Sequence, residues 1–163
     1  RVRSPFTVDD IWEHYFKDKG FRLALDESQR AGFVSAYNSY ESFLVRCLST
    51  ALGQPSYRRR SPEKFSADLI AEFGDEVCGT CWDNDDIQLF RCARHSISHA
   101  GGRVTKDLTR FDHPFRVETG VIQIGPHHLM HGLRLIEKCA DCIVASALAH
   151  PKFAASRRRK HRK

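Results

Sequence analysis

Residues 27–52 read ESQRAGFVSAYNSYESFLVRCLSTAL. Phe33, Val34, Tyr37, Tyr40, Phe43, Leu44, Cys47, Leu48 and Leu52 recur at helical steps, the pattern of a helix with one apolar side. Gly53 closes the pattern and Pro55 blocks its continuation. Tyr37, Tyr40 and Phe43 lie on the apolar side, so they are expected in a core rather than on a base-stacking platform. A helix of this length must bury its stripe against other elements, and the rest of the chain should supply them.

Working outward, residues 7–19 read as a short helix. Thr7 can cap it, Asp9 and Asp10 suit its first turn, and Gly20 is expected to end it. Ile11, Trp12, Tyr15 and Phe16 fall on one side. After Pro55, Ser61-Pro62-Glu63 is a cap with proline at the first helical position. It opens a helix through Phe65, Leu69, Ile70 and Phe73 that stops at Gly74. Cys78-Gly-Thr-Cys81 is expected in a connecting segment, with Trp82 packing beside it or at an interface. A helix starting at Asp85 or Asp86 runs through Ile87 and Phe90 to His99 and ends at Gly101-Gly102. Val117, Val121, Ile122 and Ile124 around Gly120 suggest a hairpin with a glycine turn. Gly125-Pro126 leads into a last helix that carries Leu129, Leu133, Leu135, Ile136, Cys139, Ile143, Val144 and Leu148 to His150-Pro151. The expected fold is mainly α, a bundle of about five helices with a small β-hairpin before the last helix.

Composition narrows the class. With 163 residues the chain fits one domain, expected over residues 1–156, and 41% hydrophobic content excludes a disordered chain. The longest apolar stretch, 142–149, is far too short to span a bilayer, and no membrane role is expected. The net charge of +6 comes from the end of the chain: residues 157–163, RRRKHRK, hold six of the 26 Lys and Arg. The remainder carries 20 basic and 20 acidic residues and is neutral. That tail is expected to be flexible and to bind polyanions without sequence preference. Arg58-Arg59-Arg60 is a second basic cluster, expected in a surface loop. No basic-then-apolar leader opens the sequence, so six reduced cysteines in a cytoplasmic protein are expected. The first residue is Arg rather than Met, as expected of a processed product or a piece of a longer protein.

The chemistry concentrates in Phe90-Arg-Cys-Ala-Arg94-His95-Ser-Ile-Ser-His99-Ala-Gly-Gly-Arg103-Val104. RNA can be cleaved without a metal when the ribose 2′-hydroxyl attacks the phosphate. A base must take the hydroxyl proton, an acid must protonate the leaving 5′-oxygen, and a fixed cation must stabilise the phosphorane. Histidine titrates near neutrality and arginine stays charged, with a planar fork for phosphate oxygens. Arg94 and His99 lie five residues apart, about 140° around an ideal helix, so sharing a face requires unwinding near His99. One such pair also supplies only one histidine in this role. A two-fold dimer would bring a second pair to the cleft.

Arg94-His95-Ser-Ile-Ser-His99 resembles the R-x4-6-H motif of HEPN domains (higher eukaryotes and prokaryotes nucleotide-binding). A polar residue commonly follows that arginine, and His95 fits. Ala-Gly-Gly-Arg-Val after His99 is similar to the stretch after the family's histidine, with Ala100 where Asn is frequent. Tyr40-Glu41-Ser-Phe-Leu44 resembles the corresponding family helix, and the resemblance covers roughly residues 7–150. It implies a homodimeric helical bundle with a metal-independent endoribonuclease site at the interface and no cofactor. Arg94 and His99 would be catalytic, with His95 supporting the cleft and Glu41 orienting Arg94. Apart from the resemblance, Arg91, four before His95 on the same face, and Arg103 are candidates to contact RNA, with solvated charges as the other reading. Many such domains serve as toxins or antiviral effectors with an antitoxin or sensor partner. Others are inactive modules that bind RNA, nucleotide or a protein.

Other readings attach to the same residues. Arg94 and His99 also suit a helix C-terminus, where cations meet the dipole favourably. His95 and His99 have i,i+4 metal-ligand spacing. Cys78, Cys81, Cys139 and Cys142 form two CxxC pairs that could hold zinc in a helical interaction domain. Cys139 and Cys142 are more simply small core residues of the last helix. His127, His128 and His131 form a further cluster, expected as partly exposed histidines at a helix start.

Overall fold

The computed structural model describes Asp10, residues 17–58 and residues 61–153. The expected helix over 7–19, apart from Asp10 and residues 17–19, lies outside them, as do Arg59, Arg60 and the basic tail 157–163.

Five helices of seven or more residues and one hairpin make up the described fold. Helix α1, Lys19–Leu52, runs 34 residues and begins eight residues before the expected Glu27. Gly20 therefore does not end a helix. It sits in the first turn of α1, where its N–H donates to the Asp18 carboxylate at 2.6 Å. The added turns carry strong helix formers but bury little: Leu23 is 65% exposed. An apolar period cannot appear in a segment with no buried face. Gly53, at φ 68°, ends α1, and Gln54 N–H donates to the Ser49 carbonyl at 2.9 Å.

Helix α2, Pro62–Phe73, is capped by Ser61, whose hydroxyl accepts from Lys64 N–H at 3.2 Å. Helix α3, Asp75–Cys81, corrects the expectation of a connecting segment, since Cys78 and Cys81 are both helical. Asp75 and Glu76 occupy its first turn, which favours carboxylates. Seven residues are too few for a readable period. Helix α4, Asp85–Ala100, is capped by Asn84, whose side-chain oxygen accepts from Asp86 N–H at 2.8 Å. A 3₁₀ turn follows at Leu108–Arg110. Strands β1, Arg116–Glu118, and β2, Val121–Gln123, pair antiparallel with Val117 opposite Ile122. Thr119 and Gly120 join them with φ of 49° and 78°, two left-handed residues as a tight hairpin turn requires. Helix α5, Pro126–Ala149, closes the bundle.

The long helix α1 organises two buried clusters. Its C-terminal half places Tyr40, Leu44 and Leu48 against Phe65, Trp82 and Ile143 from α2, the α3–α4 link and α5. Its N-terminal half places Phe33 and Tyr37 against Phe90 and Ala93 of α4 and Phe115 and Ile122 of the hairpin region. Each fully buried large side chain contributes about 1.5–3 kcal/mol. Trp82 is a packing residue, 1% exposed with its ring 4.5 Å from Phe65. Tyr37 and Tyr40 are core residues, as their spacing suggested.

Gly132 sets the approach of α5 to α4. A Cβ there would lie 2.3 Å from Phe90 Cε1, and Phe90 itself stacks on Phe33 at 5.0 Å. One cysteine from each CxxC pair joins α3 to α5. Cys81 Sγ donates to the Cys139 carbonyl at 3.2 Å, and Cys139 Sγ donates to the Thr80 carbonyl at 3.4 Å. Among the described residues no cluster of three or more His, Cys, Asp or Glu is arranged to hold a metal ion. No described helix is long and apolar enough to cross a membrane.

Candidate active site

Helix α4 carries the candidate residues, and its core side fixes their direction. Phe90, Ala93 and Ser96 are buried at 4%, 0% and 0% exposure, which turns Arg91, Arg94, His95 and His99 outward. The helix does not unwind near His99, the condition the sequence set for Arg94 and His99 to share a face. It stays α-helical through Ala100 and ends on Gly101, at φ 60°. The end is instead fastened from outside. Ser96 Oγ donates to the Arg103 carbonyl, and Ile122 N–H donates to the Gly102 carbonyl at 2.9 Å. Val104 N–H donates to the Gly120 carbonyl at 3.0 Å. Gly102, at φ 80°, leaves only 3.1 Å between a Cβ position and Val121 Cγ1, so a larger residue would push the hairpin away. Arg30 of α1 joins the clamp by donating to the Ile122 carbonyl at 3.3 Å.

Arg94 and Glu41 meet across the α1–α4 contact. Arg94 Nη2 lies 3.0 Å from Glu41 Oε2, with the two side chains 14% and 17% exposed. The guanidinium carbon also sits 5.4 Å from the centre of the Tyr37 ring. Its Nε is buried and hydrogen-bonds to no described residue. Arg91, one turn earlier, lies 5.2 Å from the centre of the Trp82 ring, and its Nη1 is likewise buried without an acceptor. His95 and His99 are exposed, and their rings are 4.7 Å apart with planes inclined at 44°.

These four residues line one cleft of about 480 Å³. Helical spacing explains the grouping: Gln88, Arg91, Cys92, His95 and His99 form one stripe, and the long Arg94 side chain reaches its edge. The facing wall comes from the segment after the helix, with Thr105, Asp107, Arg110 and Phe111, and Pro62 of α2 closes one end. Arg110 and Asp107 form an exposed ion pair at 3.7 Å. The sequence reading missed both of them, because an irregular segment has no period to place its side chains. Arg103 does not line this cleft: it is exposed and bridges to Val121 beside the hairpin.

The other histidine cluster has a structural use. His128 is 6% exposed, accepts from Gly125 N–H on Nδ1 at 3.0 Å, and places Nε2 3.3 Å from the Pro114 carbonyl. Burial and the neighbouring His127 and His131 push its pKa below the ordinary imidazole value. The expectation of partly exposed helix-end histidines therefore fails at His128, which acts as a neutral staple between the helix start and the loop before the hairpin.

Three arginines and one aspartate line the α4 cleft, with Glu41 paired to Arg94 from α1. Guanidinium groups that line a cleft suit an anion with several acceptor oxygens. The imidazoles of His95 and His99 stand beside them. No family model, no curated protein and no solved structure matches the chain.

Proposed function

We propose that the chain is a HEPN-like, metal-independent endoribonuclease working in the α4 cleft. Arg94 and Arg91 hold the scissile phosphate, and His99 transfers protons during attack of the 2′-hydroxyl. A second copy of the chain pairs its cleft with the first, as the resemblance implies. The observation that supports this reading most is that Arg91, Arg94, His95 and His99 line a single cleft. The ion pair between Glu41 and Arg94 also fits it, since a carboxylate on a neighbouring helix fixes the guanidinium for phosphate binding.

The same ion pair favours a second reading. An arginine whose charge is already balanced stabilises a phosphorane less than a free one. In that case the cleft binds RNA, nucleotide or a protein partner without cutting. Incubation of a labelled structured RNA in EDTA with the wild type, Arg94→Ala and His99→Ala separates the two. Cleavage that leaves 2′,3′-cyclic phosphate ends and is lost in both variants is the expected outcome. RNA retention without cleavage by the folded wild type would replace the first reading with the second.

A further inference from the structure

Histidines in this fold fall into two kinds. His128 is bonded through both ring nitrogens, and His150 Nε2 lies 3.2 Å from Glu72 Oε2. Such contacts are what a structural histidine needs. His95 and His99, like His113, His127 and His131, make no ring hydrogen bond or ion pair with a described residue, and what sets them apart is their place. They stand one helical turn apart, exposed, 4.7 Å ring to ring, in the cleft that holds Arg91 and Arg94. Nothing about packing requires two adjacent imidazoles there, and together they would repel if both were charged.

We infer that His95 and His99 of the same chain are the acid–base pair, so that proton transfer is completed within one protomer. This rests on the nuclease reading above and removes the need for a partner's histidine. The neutral imidazole takes the proton from the 2′-hydroxyl, and the new bond forms between the 2′-oxygen and phosphorus. The bond from phosphorus to the 5′-oxygen breaks, and the protonated imidazole gives its proton to that oxygen. The products are a 2′,3′-cyclic phosphate and a 5′-hydroxyl. The i,i+4 spacing puts both rings on one side of α4, and their exposure lets each turn toward one of the two oxygens. Arg91, four residues before His95, lines the same cleft and supplies a guanidinium for a non-bridging oxygen. The other charged groups around the pair are Arg94, Glu41 behind it on α1, and Asp107 and Arg110 on the facing wall.

Cleavage of labelled RNA in EDTA is measured with the full-length wild type, His95→Ala, His99→Ala and an equimolar mixture of the two variants. Circular dichroism confirms that each is folded. Each single variant is expected to lose about 100-fold or more in rate, the usual worth of a positioned acid or base. The wild-type rate should be bell-shaped in pH, and each variant should lose one limb. RNA with a bridging 5′-sulfur, whose leaving group needs no proton, should restore one variant and not the other. The mixture should remain inactive. Recovery to about one quarter of the wild-type rate in the mixture would mean that the two histidines come from different copies, which overturns the inference. A His95→Ala rate within a few-fold of wild type, with His99→Ala inactive, would also overturn it while leaving the nuclease reading intact. A wild type that binds RNA but does not cut would remove both.

Discussion

Replacing Glu41 with Gln tests the link between the bundle and the cleft. At 3.0 Å between Arg94 Nη2 and Glu41 Oε2, and an effective dielectric of about 20, the Coulomb attraction is about 5.5 kcal/mol. Desolvation of both groups opposes it. Removing one partner of a fully buried pair costs about 3–5 kcal/mol, whereas exposed pairs are worth about 0.2–1 kcal/mol. With 14% and 17% of the side chains still exposed, this pair lies between those limits. The amide oxygen of Gln can still accept from Nη2, so a loss of about 2 kcal/mol is expected. For a domain of this size that lowers Tm by about 4–8 °C in thermal unfolding followed by circular dichroism. Cleavage should fall about 10-fold through kcat, with RNA affinity nearly unchanged, because Arg94 keeps its charge but loses its fixed direction. Glu41→Asp should recover part of the loss. A Tm within 1 °C of wild type together with an unchanged rate would refute the idea that Glu41 holds Arg94 in place.

Gly132→Ala should destabilise by about 1–3 kcal/mol despite its better helix propensity, because the new methyl group meets Phe90, which Phe33 and Phe115 hold from other sides. Gly79→Ala in α3 is the control: nothing lies within 4 Å of its Cβ position, so a gain of about 0.5–1 kcal/mol is expected. Equal effects at both sites in chemical denaturation would contradict the close α4–α5 approach. His128 gives a pH dependence of known sign. Its pKa is lowered on folding, so the unfolded chain takes up the proton first as pH falls through about 6.5 while the folded chain resists. Its share of stability is therefore intact above neutrality and declines in mild acid. The difference in unfolding free energy between wild type and His128→Asn should shrink from pH 7.5 to pH 5.5, and a constant difference would count against the buried neutral imidazole.

The parts of the fold that were legible in the sequence are those where a local device and a buried face coincide. Ser61-Pro62 and Gly74 bound α2, Asp85-Asp86 and Gly101 bound α4, and Gly120 lies in the hairpin turn. Residues 19–26 escaped because an exposed helix end has propensity but no period. Helix α3 escaped because its cysteines suggest ligands before they suggest packing. At the site, the Arg94–Glu41 contact could be anticipated only through the family resemblance of the motifs on the two helices, since periodicity alone leaves Glu41 a surface charge. The placement of His99 could not. An ideal helix gives the angle between two side chains, but not the width of the cleft they face, and here an irregular segment with Thr105, Asp107 and Arg110 supplies that width. Arg103 stands exposed outside the cleft for the related reason that the chain turns toward the hairpin at Gly102.

The hairpin is small, and that has a consequence for how the site opens. All three residues of β1 are exposed, and within β2 only Ile122 is fully buried. One apolar strand side chain, the polar ties of Ser96 and Arg30 and a few backbone hydrogen bonds therefore latch the end of the helix that bears both histidines. A latch with so little apolar contact belongs to the least protected part of a domain, where local fluctuation is far cheaper than global unfolding. The Ile122 and Val104 amides, which close it, should exchange with deuterium much faster than the amides at the centre of α1. Their exchange rates would then serve as a gauge of how often the ordered cleft comes apart, and a bound polyanion would slow them from a distance.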